Sequence, residues 1–311
     1  MFEIKRYSID LMNAWDTFVE KSKNGTFLFK RDYMDYHSER FKDHSLLVYR
    51  KGILYTILPA NLVGNVLYSH QGLTYGGYIL SSKVTSLELL EVFECVNMYL
   101  KAEGIQEVIY KAIPHIYHEI PAQEDLYALF RNNAVLIGRN ISSTIYQNHK
   151  IKFVESRKSG IRKAVNNNLK VKESLNFKAF WEILDENLTH KYGKKPVHTL
   201  DEIELLRDKF PENIKLYLVY NEEMPVGGTV VYITKQVLHT QYISANLEGK
   251  ETGALDILFD KLINEIYIKI PFFDFGQSTE QLGNLLNTAL IFQKEGFGGR
   301  GIMYDIYKYN L

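Results

Sequence analysis

Apolar residues recur along this chain with two periods, every second position and every third or fourth, and the alternation of those periods lays out its elements. Residues 170–175 alternate and predict a strand; Phe177, Phe180, Trp181, Leu184 and Leu188 then fall at helical spacing, which predicts a helix over 177–190. A second short helix is expected over 200–210, with Ile203, Leu206 and Phe210 on one side and Pro211 after its end. Strands follow at 214–220, 225–233 and 237–244, joined by NEEM and TKQ, both short enough for antiparallel hairpins. From about Gly253 to Ile268, Leu255, Leu258, Phe259, Leu262 and Ile266 make one apolar stripe, and Pro271 stops that helix. A strand at 272–275, a helix over 283–294 and a strand at 302–309 complete the order β-α-α-β-β-β-α-β-α-β.

The first half repeats the plan. A strand is expected at 2–7, helices at 11–19 and 32–41, a hairpin of 46–49 and 53–58 across Arg50, Lys51 and Gly52, and a third strand at 66–69. The helix over 86–103 is well marked: Thr85 and Glu88 form a capping box, and Gly104 stands where a C-terminal glycine belongs. A strand at 107–112, a helix at 126–132 and a strand at 135–146 follow. The same order twice implies an internal duplication. The fold class is therefore α/β in the α+β sense: two tandem domains, 1–152 and 153–311, each a mixed, largely antiparallel sheet flanked by helices.

At 311 residues the chain suits two domains, and an apolar fraction of 46% suits real cores. Lysine plus arginine equals aspartate plus glutamate, 37 against 37, which argues against a duplex nucleic-acid binder. The single Cys95 excludes an internal disulfide and any multi-cysteine zinc site. The first ten residues are charged from Glu3 onward, and the apolar stretch 53–68 is broken by Pro59, Asn61 and Asn65. The expectation is a cytoplasmic protein of bacterial type without a membrane span, its oligomeric state open. One segment departs from the balanced background. Between 150 and 172, Lys150, Lys152, Arg157, Lys158, Arg162, Lys163, Lys170 and Lys172 face one anion, Glu155. A solvated linker helix and an anion-binding patch are both consistent with it.

The doubled order resembles that of the Gcn5-related N-acetyltransferase (GNAT) fold, and several motifs narrow the resemblance. Arg157-x4-Arg162-Lys163-Ala164, His190-Lys191-Tyr192-Gly193 with Pro196, the run 273–278 (FDFGQS) and Lys294-Glu295-Gly296-Phe297-Gly298 are similar to motifs of the Fem-type transferases. Those are tandem GNAT proteins that add amino acids to peptidoglycan precursors. The resemblance is strongest over 157–301. It implies an N-acyltransferase that moves an acyl group, from acetyl-CoA or another acyl-CoA, to an amine of an anionic acceptor such as a nucleotide-linked sugar or cell-wall precursor. Aminoacyl-tRNA as donor is the alternative, and a catalytically degenerate binding protein is a third.

The resemblance also assigns residues. Gly253 and Ala254 leave a helix N-terminus without bulk, where amide groups and the macrodipole favour a phosphate, and Lys250 stands before them. The loop 250–255 is nevertheless a degraded version of the usual Arg/Gln-x-x-Gly-x-Gly/Ala pattern. Gln277 and Ser278 end a strand where ligands of open sheets gather, completing the donor set. Asp274, bracketed by phenylalanines, is expected to be partly desolvated with a raised pKa suited to proton transfer, or else to cap a turn. Lys294 aligns with a family lysine near the reacting carbonyl and would stabilise an oxyanion. Arg157, Arg162, Lys163, Lys191 and Tyr192 are the acceptor-binding set. No metal is expected, since His115 and His118 have no third ligand in view. The run 296–301 fits G-x-G-x-x-G only formally, because a helix precedes it and a strand follows.

Overall fold

The computed structural model describes residues 2–193 and 195–311, and it does not describe the side chains of His190, Lys191 and Tyr192. The elements in chain order are β1 (Phe2–Arg6), α1 (Met12–Lys21), α2 (Arg31–Met34), β2 (Leu46–Arg50), β3 (Ile53–Leu58), β4 (Asn61–Val63), β5 (Val66–Tyr68), β6 (Ile79–Leu80), α3 (Ser86–Ala102), β7 (Glu107–Lys111), α4 (Glu124–Arg131) and β8 (Val135–Tyr146). They continue with α5 (Glu155–Asn166), β9 (Lys170–Ser174), α6 (Phe177–Tyr192), α7 (Leu200–Lys209), β10 (Ile214–Asn221), β11 (Met224–Ile233), β12 (Val237–Ala245), α8 (Leu247–Thr252), α9 (Ala254–Lys261), β13 (Phe272–Gln277), β14 (Thr279–Glu280), β15 (Leu285–Leu286), α10 (Thr288–Gly296) and β16 (Arg300–Asn310). Among the described residues no helix is long and apolar enough to cross a membrane.

These elements make two compact units. Unit 1 comprises Met1–Asn140, Thr279–Leu285 and Met303–Leu311; unit 2 comprises Ile141–Ser278 and Leu286–Ile302. The chain of β8 runs out of unit 1 at Asn140, and that of β16 returns to it at Met303. In unit 1, β1, β2, β3 and β6 form an antiparallel sheet, while β4, β5, β7 and the distal part of β16 lie side by side. The long helix α3 carries Leu89, Val92, Phe93, Val96 and Leu100 into its core, and the capping box of Thr85 and Glu88 fixes its start.

In unit 2 the order is β8-β13-β12-β11-β10-β9, antiparallel throughout except for β12 and β13. Unit 1 has the matching exception, β5 parallel to β7. In both, the parallel pair flanks a helical crossover, as parallel neighbours require. The core of unit 2 sets Leu258, Phe259 and Leu262 against Phe273, Phe275 and Phe297.

The helix expected over 32–41 is shorter, Arg31–Met34 followed by a 3-10 turn at Asp35–His37, and two boundaries in unit 2 also differ from the sequence expectation. The crossover helix of unit 2 begins at Leu247, where the Asn246 side chain accepts from the Gly249 amide, and Gly253 breaks it in the left-handed conformation (φ +83°). The last helix begins at Thr288, after an Asn287 cap, because 279–286 forms the small pair β14–β15.

Candidate active site

Where β12 and β13 stop pairing, unit 2 opens. Their parallel ladder covers only Val237–His239 and Phe272–Asp274. Beyond it, Gly276 takes a positive φ of 75°, and the pairing of β13 with β8 slips between Asp274 and Gln277. A cavity of about 520 Å³ lies beside the splayed ends. Ile243 and Phe275 line it from the strands, Phe259 from α9, Leu184 from α6 and Lys294 from α10. It is mostly apolar, with a few polar groups, as small-molecule sites are.

Lys294 is buried, and its Nζ donates to the carbonyls of Gly276 and Gln277, both at 2.8 Å. Desolvation lowers its pKa to about 8, and the nearby charge of Asp274 acts against that shift. The ammonium is thus tethered to the splayed strand end and remains mostly charged at neutral pH. Ser278 follows with its hydroxyl buried and without a hydrogen-bond partner among the described residues, while Gln277 is half-buried.

Asp274 corrects an expectation. It is fully buried, and burial alone pushes its carboxyl up; the His239, Ser142 and Thr144 hydrogen bonds and the imidazole's charge outweigh that and hold it below the usual value. One oxygen accepts from Ser142 Oγ and from Thr144 Oγ1 at 2.7 Å, and the other accepts from His239 Nδ1 at 2.7 Å. The raised pKa expected from its phenylalanine neighbours does not occur. Register explains the network: Asp274 lies opposite Thr144 on β8 and His239 on β12. The sequence reading missed His239, Ser142 and Thr144, since they lie 35, 132 and 130 positions from Asp274 and no local pattern links them.

The remaining assigned residues are spread over unit 2. Lys250 lines the cavity and donates to the Asn187 side chain. Gly253 lies under α5: a Cβ there would stand 2.3 Å from the Gly160 carbonyl oxygen, and Ala254 is fully buried. A phosphate at that helix end would have to displace α5. Arg157 also lines the cavity; its Nη1 donates to Asp256 at 2.8 Å and its guanidinium lies 5.3 Å from the Phe297 ring centre. Arg162 is exposed and bonded to Glu155, and Lys163 is exposed. The side chains of Lys191 and Tyr192 lie outside the described residues. Among the described residues no group of three or more His, Cys, Asp or Glu is placed to hold a metal ion.

No family model and no curated protein matches this sequence. The similarity lies in structure. The crystal structure of FemX aligns over 99% of this chain and 97% of its own, with a TM-score of 0.71 at 12% identity. The L-PGS of Bacillus licheniformis aligns over 98% and 92%, with a TM-score of 0.59 at 11% identity. A tandem GNAT protein from the clavulanic acid biosynthesis pathway aligns over 100% and 98%, with a TM-score of 0.53 at 8% identity. The chain has the tandem GNAT-like fold that it shares with FemX and these other structures.

Proposed function

We propose that unit 2 transfers an acyl group from a thioester or ester carrier to the amine of an anionic acceptor. The observation that carries this reading is the cavity beside the β12–β13 splay with the Lys294 ammonium fixed at its edge. An apolar pocket suits an acyl group. An ammonium with three donors and two of them on carbonyls keeps one N–H for the oxygen that becomes negative when the amine adds to the acyl carbon. The new C–N bond forms as the carrier's sulfur or oxygen leaves, without a covalent enzyme intermediate. Lys250 stands at the cavity to meet the carrier, together with Gln277 and Ser278 at the strand end. The cations of α5, Arg157, Arg162 and Lys163, meet the anionic group of the acceptor.

Acyl-CoA is the donor in this reading. Aminoacyl-tRNA is a second reading, favoured by one observation: α5 covers Gly253, where a coenzyme A pyrophosphate would be expected to sit. Transfer assays with labelled acetyl-CoA, longer acyl-CoAs and aminoacyl-tRNA, each with uridine-diphosphate sugars as acceptors, separate the two. Product from acyl-CoA alone supports the first, product from aminoacyl-tRNA alone supports the second, and no product or thermal stabilisation with any donor rejects acyl transfer. With a working pair, replacing Arg157, Arg162 and Lys163 by alanine is expected to raise the acceptor's KM by roughly 1–3 kcal/mol equivalent and to spare the donor's. A defect confined to the donor would assign α5 to the carrier.

A further inference from the structure

An acyl transfer of this kind needs a group to receive the proton that the attacking amine loses, and neither Lys294 nor Asp274 is suited to that task. Lys294 is held as a cation by two carbonyls, and Asp274 is buried among donors that favour its charged form. We propose that His239 is the proton acceptor, with Asp274 as its positioning residue. This rests on the acyl-transfer reading of the same site.

Four observations carry it. First, Thr144, Asp274 and His239 sit opposite one another on three adjacent strands, so the sheet itself sets their spacing. Second, an ionised Asp274 can only accept, so the 2.7 Å contact requires His239 Nδ1 to carry the hydrogen. In the neutral ring that leaves the Nε2 lone pair outward as a base, the arrangement that a buried carboxylate imposes on a catalytic imidazole. Third, His239 is the last β12 residue paired with β13, so its ring stands where the splay begins, with 13% of the side chain exposed. Fourth, the chain leaves its edge uncovered: a Cβ on Gly276 would approach His239 Cε1 to 3.2 Å and Nε2 to 3.7 Å. The carbonyl of this same Gly276 anchors Lys294. Gly276 therefore has the imidazole edge beside its α-carbon and the Lys294 ammonium on its carbonyl. His239 does not line the cavity itself, so in this proposal the amine approaches at the splay and the acyl group occupies the cavity.

In the step itself, the amine nitrogen bonds to the acyl carbon and its N–H proton passes to His239 Nε2. The carrier then leaves as the C–S or C–O bond breaks and takes that proton from the imidazolium, so the ring returns neutral. The titratable and charged groups on the elements around the imidazole are Asp274 on β13, with Ser142 and Thr144 of β8 behind it, Lys294 on α10, Tyr232 opposite on β11, and Tyr242 further along β12, itself bonded to His198.

The test uses the whole chain with whichever donor proves active. His239→Asn keeps an N–H for Asp274 but has no base. It is expected to lower kcat by about 10²–10⁴-fold, to leave donor KM within about threefold, and to abolish the acidic limb of the wild-type pH–rate profile. Asp274→Asn is expected to slow turnover by forcing the wrong tautomer, with the limb displaced rather than lost. Nitrogen-15 spectra of the wild-type imidazoles give a readout independent of any variant's folding, and the neutral form of His239 is expected to carry its hydrogen on Nδ1. A folded His239→Asn enzyme that turns over within threefold of wild type with an unchanged pH profile would overturn the proposal alone. A hydrogen on Nε2 in the neutral ring would do the same. Wild-type protein inactive with every donor would remove the acyl-transfer reading itself, and this proposal with it.

Discussion

Lys111 in unit 1 and Lys294 in unit 2 each bring an ammonium among backbone carbonyls, and desolvation lowers both to about 8. In unit 1 the carbonyls of His70, Gln71 and Leu73, from the loop after β5, receive Lys111 at 3.4, 3.0 and 2.7 Å. Three carbonyls match three protons, and the lysine closes a loop. In unit 2 only Gly276 and Gln277 are engaged among the described residues, and the side chain borders a cavity. A depressed lysine pKa therefore does not by itself mark a site. The number of its protons left for a ligand separates a structural clamp from a candidate catalytic group.

That contrast can be broken most directly by substitution. Lys294→Met is expected to lower turnover by about 10²–10³-fold, the scale of losing one oxyanion donor. Lys111→Met is expected to leave turnover within about threefold, yet to lower the unfolding free energy by roughly 1–3 kcal/mol as three carbonyls lose their donor. Steady-state kinetics and urea unfolding on both variants decide it; equal losses of turnover would erase the distinction.

A pair of left-handed glycines extends the comparison. Gly104 follows α3 with φ +80° and open space where a Cβ would go, whereas Gly253 has φ +83° and the Gly160 carbonyl against it. Gly253→Ala is expected to cost roughly 2–4 kcal/mol, strain plus overlap, against about 1–2 kcal/mol for Gly104→Ala. Urea denaturation midpoints at constant slope measure the gap, and equal costs would show that α5 yields easily at Gly160.

The two buried aspartates differ in sign. Burial raises Asp125 to about 6, although Tyr110 donates to it, while donors on both oxygens lower Asp274. For Asp125 the folded pKa lies above an unfolded value of about 3.9, so its contribution is complete below pH 4 and is lost as pH rises to about 6. For Asp274 the contribution is present above pH 4 and is lost as pH falls through its lower folded pKa. Asp125→Asn is therefore expected to flatten a decline in unfolding free energy on the order of 2 kcal/mol between pH 4 and 6. An unchanged slope would mean that Asp125 titrates normally.

Much of this organisation was legible in the chain. Thr85, Glu88 and Gly104 announced α3, and the doubled element order announced the tandem fold, because caps and periodicity are local signals. The break at Gly253 was legible only in part. Asn246, three residues before Gly249, marks a helix start as clearly as any cap, but the apolar stripe from Leu255 drew attention downstream. The character of Asp274 was not legible. Its phenylalanine neighbours fill the opposite face of β13, and its hydroxyl and imidazole partners arrive from strands that only the folded sheet brings alongside.

The return of the chain to unit 1 at Met303 bears on synthesis as well as architecture. Residues Ile306–Asn310 pair with Lys111–Glu107, and Tyr309 is buried in the core built around α3. A ribosome releases β7 about 200 residues before it releases the strand that lies along it, so unit 1 must wait with one flank of β7 unpaired while all of unit 2 is made. Such an edge is the kind that invites association between nascent chains. A gene cut after residue 152 would make that interval permanent, and the fragment's solubility, compared with that of the whole chain, would measure how much protection the last strand gives.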